Sequence, residues 1–187
     1  MAAKNVIVVN EGDATDSLYI LLSGRVKAFT TGPDGREVVF DVINAGDYFG
    51  ELVLDGGPRA ASIMTLEACR FYVIPKYEVE ALLASHPEFA RDLIHKLIGK
   101  VRLLTDKVSD LTLKDVYGRF MRFIDANAVE HDGARVIRER LTQHDIAARI
   151  GGSREMVSRI LRDLTTGAYI SMESRQISIL KKLPEHW

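Results

Sequence analysis

The 187-residue sequence holds a single cysteine. Neither an internal disulfide nor a metal site of several cysteines can be built within one such chain. Cys69 lies in the strand-like stretch CRFYVI, where packing in a core is its expected role. No apolar run approaches the roughly 20 residues that a membrane-spanning helix needs. The opening MAAKNVIVVNEGD also lacks the basic segment followed by an apolar one that marks a secretory leader. The expected setting is the cytoplasm, with no membrane partner. An excess of positive charge is missing too: 25 Lys and Arg stand against 26 Asp and Glu. A uniformly basic nucleic-acid coat is excluded, but the balance hides two unlike parts. Residues 1–114 carry 13 basic against 16 acidic side chains, and residues 115–187 carry 12 against 10. Between Arg135 and Arg162 seven arginines meet only Glu139, Asp145 and Glu155. Such local excess suits a small DNA-reading face or a solvated helix surface.

What the chain does have is organised in two styles. From Lys4 to about Ile74, short β-branched or aromatic runs (VIVV, SLYILL, RVKAFT, EVVFDVI, ASIMTL, CRFYVI) alternate with turn signals. The turns fall at Glu11-Gly12-Asp13, Ser23-Gly24, Gly32-Pro33-Asp34-Gly35 and Asn44-Ala45-Gly46-Asp47. Regular short strands of this kind predict an antiparallel sandwich or roll. From Lys76 the period becomes helical, so the fold class is α+β: a jelly-roll-like β-roll, a long helix and a C-terminal helical domain.

Leu93, Leu97, Val101, Leu104, Val108 and Leu111 recur at spacings of 4, 4, 3, 4 and 3, a coiled-coil-like seam. A helix of about 25 residues is roughly 37 Å long, more than a small β domain covers. Pairing with a second copy is the expected solution, with packing on the roll as the alternative. Asp115 is expected to cap the next helix, whose apolar face is Val116, Phe120, Phe123 and Ile124. The expected segments are a β-roll over 1–84, a dimerisation helix and hinge over 85–113, and a DNA-binding domain over 114–187.

The stretch FGELVLDGGPRAAS, Phe49 to Ser62, sets Glu51 and Arg59 on a glycine-punctuated loop. A guanidinium presents a planar, permanently charged fork to phosphate oxygens, and a carboxylate accepts from a ribose hydroxyl. Gly50, Gly56 and Gly57 would let backbone N–H groups approach a ligand. A chance structural ion pair is the competing reading. The stretch resembles the phosphate-binding cassette of cyclic-nucleotide-binding domains, and NEGD, LYILLSGRVK and AGDYFGEL resemble the glycine pattern of the same β-roll. The resemblance implies a ligand site at Gly50, Glu51, Leu52, Arg59 and Ala60, with Ala60 donating its backbone N–H.

A second signal follows at Thr142–Leu164, TQHDIAARIGGSREMVSRILRDL. Thr142 followed by Asp145 starts a capping box, Ile146, Ala147 and Ile150 form an inward face, and Gly151-Gly152 ends the helix. Ser153 can cap a second helix with Val157, Ile160, Leu161 and Leu164 inward and Arg154, Glu155, Ser158 and Arg159 outward. Arg can grip guanine bidentately and Glu can accept from cytosine; an ordinary Glu155–Arg159 surface pair is the alternative.

GGSREMVSRIL resembles the recognition region of the cAMP receptor protein and fumarate–nitrate-reduction regulator family, and with the cassette the likeness covers nearly the whole chain. It implies base reading by Arg154, Glu155 and Arg159 on a palindromic TGTGA-like site. Thr142, Gln143 and Ser153 would contact phosphates, although the Arg that is frequent at the position of Gln143 is missing. YISMESRQISIL, Tyr169 to Leu180, reads as the closing wing hairpin. RLLTDKVSDLTLKDVYGRF resembles the dimerisation helix and hinge, with Thr105 reaching the adenine of the partner's ligand. Leu104 stands beside it where relatives often carry a hydroxyl.

The loop Asn127–Ala134, with His131-Asp132-Gly133, resembles a region through which some relatives contact RNA polymerase. Relatives also carry further helix and strand ahead of the stretch KNVIVVNEGD. The expected effector is cAMP, acting without catalysis. An iron–sulfur cluster is excluded by the cysteine count. Haem is not expected, because His86, His95, His131, His144 and His186 all fall outside the β segment and suit surface positions. Two rivals remain: a constitutive or differently liganded DNA binder, responsive to cyclic di-GMP for example, and a regulatory subunit of a partner enzyme.

Overall fold

Glycines in left-handed conformation at Gly12, Gly24, Gly35 and Gly46 turn the first part of the chain back on itself, and two antiparallel sheets result. The computed structural model describes residues 1–131 and 134–184. The chain forms two units, Met1–Leu104 and a second beginning at Thr105.

In the first unit the strands β1 (Ile7–Val9), β2 (Ser17–Ser23), β3 (Arg25–Thr31), β4 (Glu37–Asn44), β5 (Tyr48–Phe49), β6 (Ser62–Thr65) and β7 (Arg70–Pro75) lie close to the expected runs. One sheet has the order β1-β6-β3-β4 and the other β5-β2-β7. Their inward side chains, among them Leu21, Val26, Ile43, Phe49 and Cys69, form one buried cluster. Phe49 stacks on Tyr19 at 5.0 Å and meets Phe71 edge-on. A short 3-10 helix, Glu51–Leu54, links β5 toward β6 where the glycine-punctuated pattern predicts a loop. Then follow α1 (Lys76–Ser85) and α2 (Pro87–Leu113), the latter 27 residues long.

The apolar seam of α2 is corrected by the packing. Leu93 is only 5% exposed and Leu97 is half-buried, so the first two members of the expected stripe turn toward their own unit. The other four members, Val101, Leu104, Val108 and Leu111, are exposed as expected, and Ile94, Ile98, Leu103 and Leu113 are exposed with them.

The second unit contains α3 (Val116–Asn127), β8 (Val129–His131), β9 (Ala134–Ile137), α4 (Gln143–Ile150), α5 (Arg154–Thr166), β10 (Ile170–Glu173) and β11 (Gln176–Ile179). Asp115 caps α3 by accepting from the Gly118 N–H at 2.7 Å. Phe120, Ile124, Ile146, Ile160 and Leu164 join one core. The wing is larger than the expected hairpin: its sheet has the order β10-β11-β9-β8. Within the expected loop Asn127–Ala134, Val129–His131 and Ala134 are strand, because the edge pair Val129–Val136 and Glu130–Arg135 extends the β11 ladder. Asp132 and Gly133 of that loop, and His186, lie outside the described residues.

Candidate functional site

Arg59 is held before any ligand arrives. Its backbone N–H donates to Asp13 O and its carbonyl accepts from Gly12 N–H, both at 2.8 Å, tying it to the turn of the NEGD motif. The guanidinium lies 5.6 Å from the Tyr19 ring centre. Its Nη2 donates to Ser17 O at 3.0 Å and stands 3.6 Å from the Asp16 carboxylate. The side chain is only 7% exposed, and Nη1 is buried with no hydrogen-bond partner among the described residues.

Gly50 makes this placement possible. Its φ is 87°, and a Cβ there would sit 2.7 Å from Arg59 Nη1 and 2.9 Å from Ser17 O. Any side chain would both strain the backbone and displace the guanidinium. Immediately after it, Glu51 begins the 3-10 helix. One of its oxygens accepts from Lys100 Nζ at 2.6 Å, while Oε2 is buried without a partner among the described residues. A buried polar group left unmatched costs about 1–3 kcal/mol, and more when charged. Two such atoms, one donor and one acceptor, belong to residues that line the same cavity.

That cavity has a volume of about 320 Å³ and is lined by Gly50, Glu51, Leu52, Arg59, Ala60 and Leu104 from the expected set. Phe49, Ile43, Ile63 and Val9 give it apolar walls. Thr105, the next residue on α2, opens the second unit. Gly56 and Gly57 are not in the lining, and the Gly57 N–H donates to Asp55 Oδ1 at 2.7 Å. Lys100 was missed by sequence reasoning, since its contact with Glu51 spans 49 residues. One turn earlier Lys96 pairs with Asp47 and lies 3.6 Å from the Tyr48 ring centre. Burial, followed by the charges of Glu51 and Asp47, pushes the Tyr48 phenol up to about 12, so it stays a neutral hydroxyl beside the site.

In the second unit the helix–turn–helix is built as its caps dictate. Thr142 Oγ1 accepts from the Asp145 N–H, and Asp145 Oδ2 accepts from the Thr142 N–H at 2.8 Å. Gly151, at φ 63°, closes α4. Ser153 accepts from the Met156 N–H at 3.2 Å and starts α5. Arg119 fixes the turn between the helices: it donates to Ile150 O, Gly151 O and Lys114 O at 2.7, 3.0 and 2.7 Å. Arg149 meets Glu139 in a bidentate pair with both contacts at 2.8 Å.

With Val157, Ile160, Leu161 and Leu164 buried, the outer face of α5 is fixed. Gln143, Arg154, Glu155, Ser158 and Arg159 come together along one open groove, and Arg162 joins them. Arg162 lies eight residues after Arg154, so helical periodicity was the signal that could have found it. The hydroxyls of Thr142 and Ser153, expected to meet phosphates, serve here as caps. Thr142 also donates its hydroxyl proton to Asp145 at 2.6 Å, which commits its one side-chain donor.

Residues 2–86 match the family model of the cyclic nucleotide-binding domain, and residues 118–182 match that of the Crp-like helix-turn-helix domain. A CRP-like cAMP-activated global transcriptional regulator of Mycobacterium tuberculosis is 32% identical over 177 residues, covering 92% of this chain and 79% of the relative. The cAMP-activated global transcriptional regulator CRP of Salmonella typhimurium is 27% identical over 180 residues, covering 92% and 84%. Among solved structures, the c-di-GMP responsive global regulator CLP of Xanthomonas campestris has the same fold. It superposes with a TM-score of 0.85 at 23% identity, over 97% of this chain and 92% of that one.

Proposed function

Because the chain belongs to the CRP/FNR family of cyclic-nucleotide-binding transcription regulators, we propose that it is a homodimeric, sequence-specific DNA-binding switch whose effector is cAMP. The observation that carries the effector reading is a pair of buried, unmatched atoms, Arg59 Nη1 and Glu51 Oε2, on two residues that line one cavity. A cyclic phosphate supplies the acceptor that the first needs, and the ribose 2′-hydroxyl supplies the donor that the second needs. In this reading the Ala60 N–H adds a second donor to the phosphate, and Gly50 and Leu52 shape the wall. Leu104 packs on the base and Thr105 of the partner subunit reaches its edge.

The functional segments are 1–84 for the nucleotide, 85–113 for dimerisation and hinge, and 114–187 for DNA. Arg154, Glu155 and Arg159 read bases in a TGTGA-like half-site of a palindrome, and Ser158 approaches the same groove. Gln143 and Ser153 touch phosphates, Ser153 through the proton that its capping role leaves to donate. Thr142 acts through the helix terminus that it caps. RNA polymerase is the further protein partner, met by the region of β8 and β9.

A second reading, a different cyclic nucleotide such as cyclic di-GMP, is favoured by one observation: Leu104 gives the cavity an apolar side chain where a hydroxyl would read adenine. The response of a relative to that ligand is consistent with it.

Base reading is tested by Arg159→Ala. A good bidentate pair is worth roughly 1–3 kcal/mol of discrimination, so affinity for the preferred half-site should fall on the order of 5- to 150-fold, and much less on unrelated duplex. Binding curves on both duplexes, with cAMP present, decide it. Equal losses would make Arg159 a general charge, not a reader.

A further inference from the structure

Four charged side chains line the cavity of the first unit: Asp41, Glu51, Arg59 and Lys100. Arg59 and Glu51 have parts in the reading above, and Lys100 pairs with Glu51. Asp41 has none.

Its presence in the wall follows from an irregularity in the sheet. Strands β3 and β4 pair Ala28 with Asp41 and then Phe29 with Val39, so Phe40 is an extra residue on β4. Neighbours in a regular strand point to opposite faces, and a bulge breaks that alternation and re-aims side chains. Here the consecutive Phe40 and Asp41 both line the cavity. Asp41 Oδ1 accepts the Val42 N–H at 2.8 Å. Among the described residues no ion pair engages its other oxygen.

An ionised carboxylate only accepts hydrogen bonds. Set among Val9, Ala28 and Ile63, it favours a ligand that brings a donor and disfavours one that does not. An aromatic ring beside a carboxylate suits a flat heterocycle with an amino group on its edge: the ring offers a stacking face and the carboxylate takes the N–H. With the phosphate at Arg59 and the ribose at Glu51, the base is the part of the ligand left for Phe40 and Asp41, which line the same cavity. We propose that Asp41 is a specificity-determining residue that accepts a hydrogen bond from the exocyclic amino group of the purine. This rests on the nucleotide reading of the cavity. The half-buried carboxylate loses that partner when the analogue lacks the amino group, so the site favours the ligand that brings it.

Calorimetric titration of the full chain with cAMP and with purine riboside 3′,5′-cyclic monophosphate, which lacks only the amino group, tests it. A hydrogen bond to a charged group contributes about 1.5–3 kcal/mol, so the wild type should prefer cAMP on the order of 10- to 150-fold. Asp41→Ala should bind the two ligands equally. Asp41→Asn, which keeps the shape and one neutral acceptor, should retain part of the preference and guards against a folding defect in the smaller variant. An undiminished preference in both variants overturns the assignment. So does a wild type that binds both ligands equally well, a result that leaves the nucleotide site itself standing. If the wild type binds neither, the nucleotide reading falls and Asp41's role falls with it.

Discussion

Arg59→Gln is expected to lower cAMP affinity on the order of 10- to 150-fold, the equivalent of one charge-assisted contact of about 1.5–3 kcal/mol. Among the described residues, Arg59 is the sole cation in the cavity wall apart from Lys100, which is already paired with Glu51. The guanidinium is only 7% exposed, and its free Nη1 lies beside Gly50, where the missing Cβ leaves room for an approaching oxygen. Gln removes the charge and the planar fork but keeps an amide donor for Ser17 O, so the loop should hold. Ligand-stimulated DNA binding should fall with nucleotide affinity, since a ligand shifts an equilibrium only by its differential binding. DNA affinity without ligand should stay where it was. Calorimetry of the variant beside a DNA-binding curve separates these effects; unchanged cAMP affinity would remove Arg59 from the site.

Ile98→Glu combined with Val108→Glu should convert the dimer to monomer. These side chains are 46% and 64% exposed on α2, although both are apolar and stand on the same long helix. A second copy is the economical cover for such a stripe. Forcing an unpaired charge into a buried position costs roughly 3–5 kcal/mol, so even one such charge weakens association on the order of a hundred- to several-thousandfold. Each chain of the double variant brings two. Sedimentation of the variant checks this outcome, and association as tight as wild type would exclude the exposed face of α2 as the interface.

Much of the second unit was legible because its signals are local. The Thr142–Asp145 capping box, the Ser153 cap and the Asp115 cap each involve residues three apart. The inward face of α5 follows from one helical period, and all four residues assigned to it are buried. The cassette was legible for a similar reason: Gly50, Glu51 and Arg59 fall within ten residues. What the sequence did not disclose depends on distant packing. On α2, Leu93-Ile94 and Leu97-Ile98 are adjacent apolar pairs, so either member of each pair completes a heptad-like stripe. Only burial of Leu93 decides which side faces outward. The Lys100–Glu51 contact joins residues 49 apart. Strand β8 does not announce itself, since Val129 is the one apolar residue of its three and all of them are exposed. Phe40 and Asp41 share a wall only because β4 holds one residue more than β3 at that point, a register fact that alternation along a single strand cannot reveal.

The central claim is that a cyclic nucleotide in the β-roll governs DNA binding by the recognition helix, and the affinity of the wild-type chain for a palindromic TGTGA-like duplex at rising cAMP concentration tests it most directly. The account predicts that saturating cAMP tightens binding by about 5- to 150-fold, the usual range of coupling between two sites, with the midpoint set by nucleotide occupancy. A DNA affinity that does not change at saturating cAMP would contradict it and leave a constitutive or differently liganded DNA binder in its place.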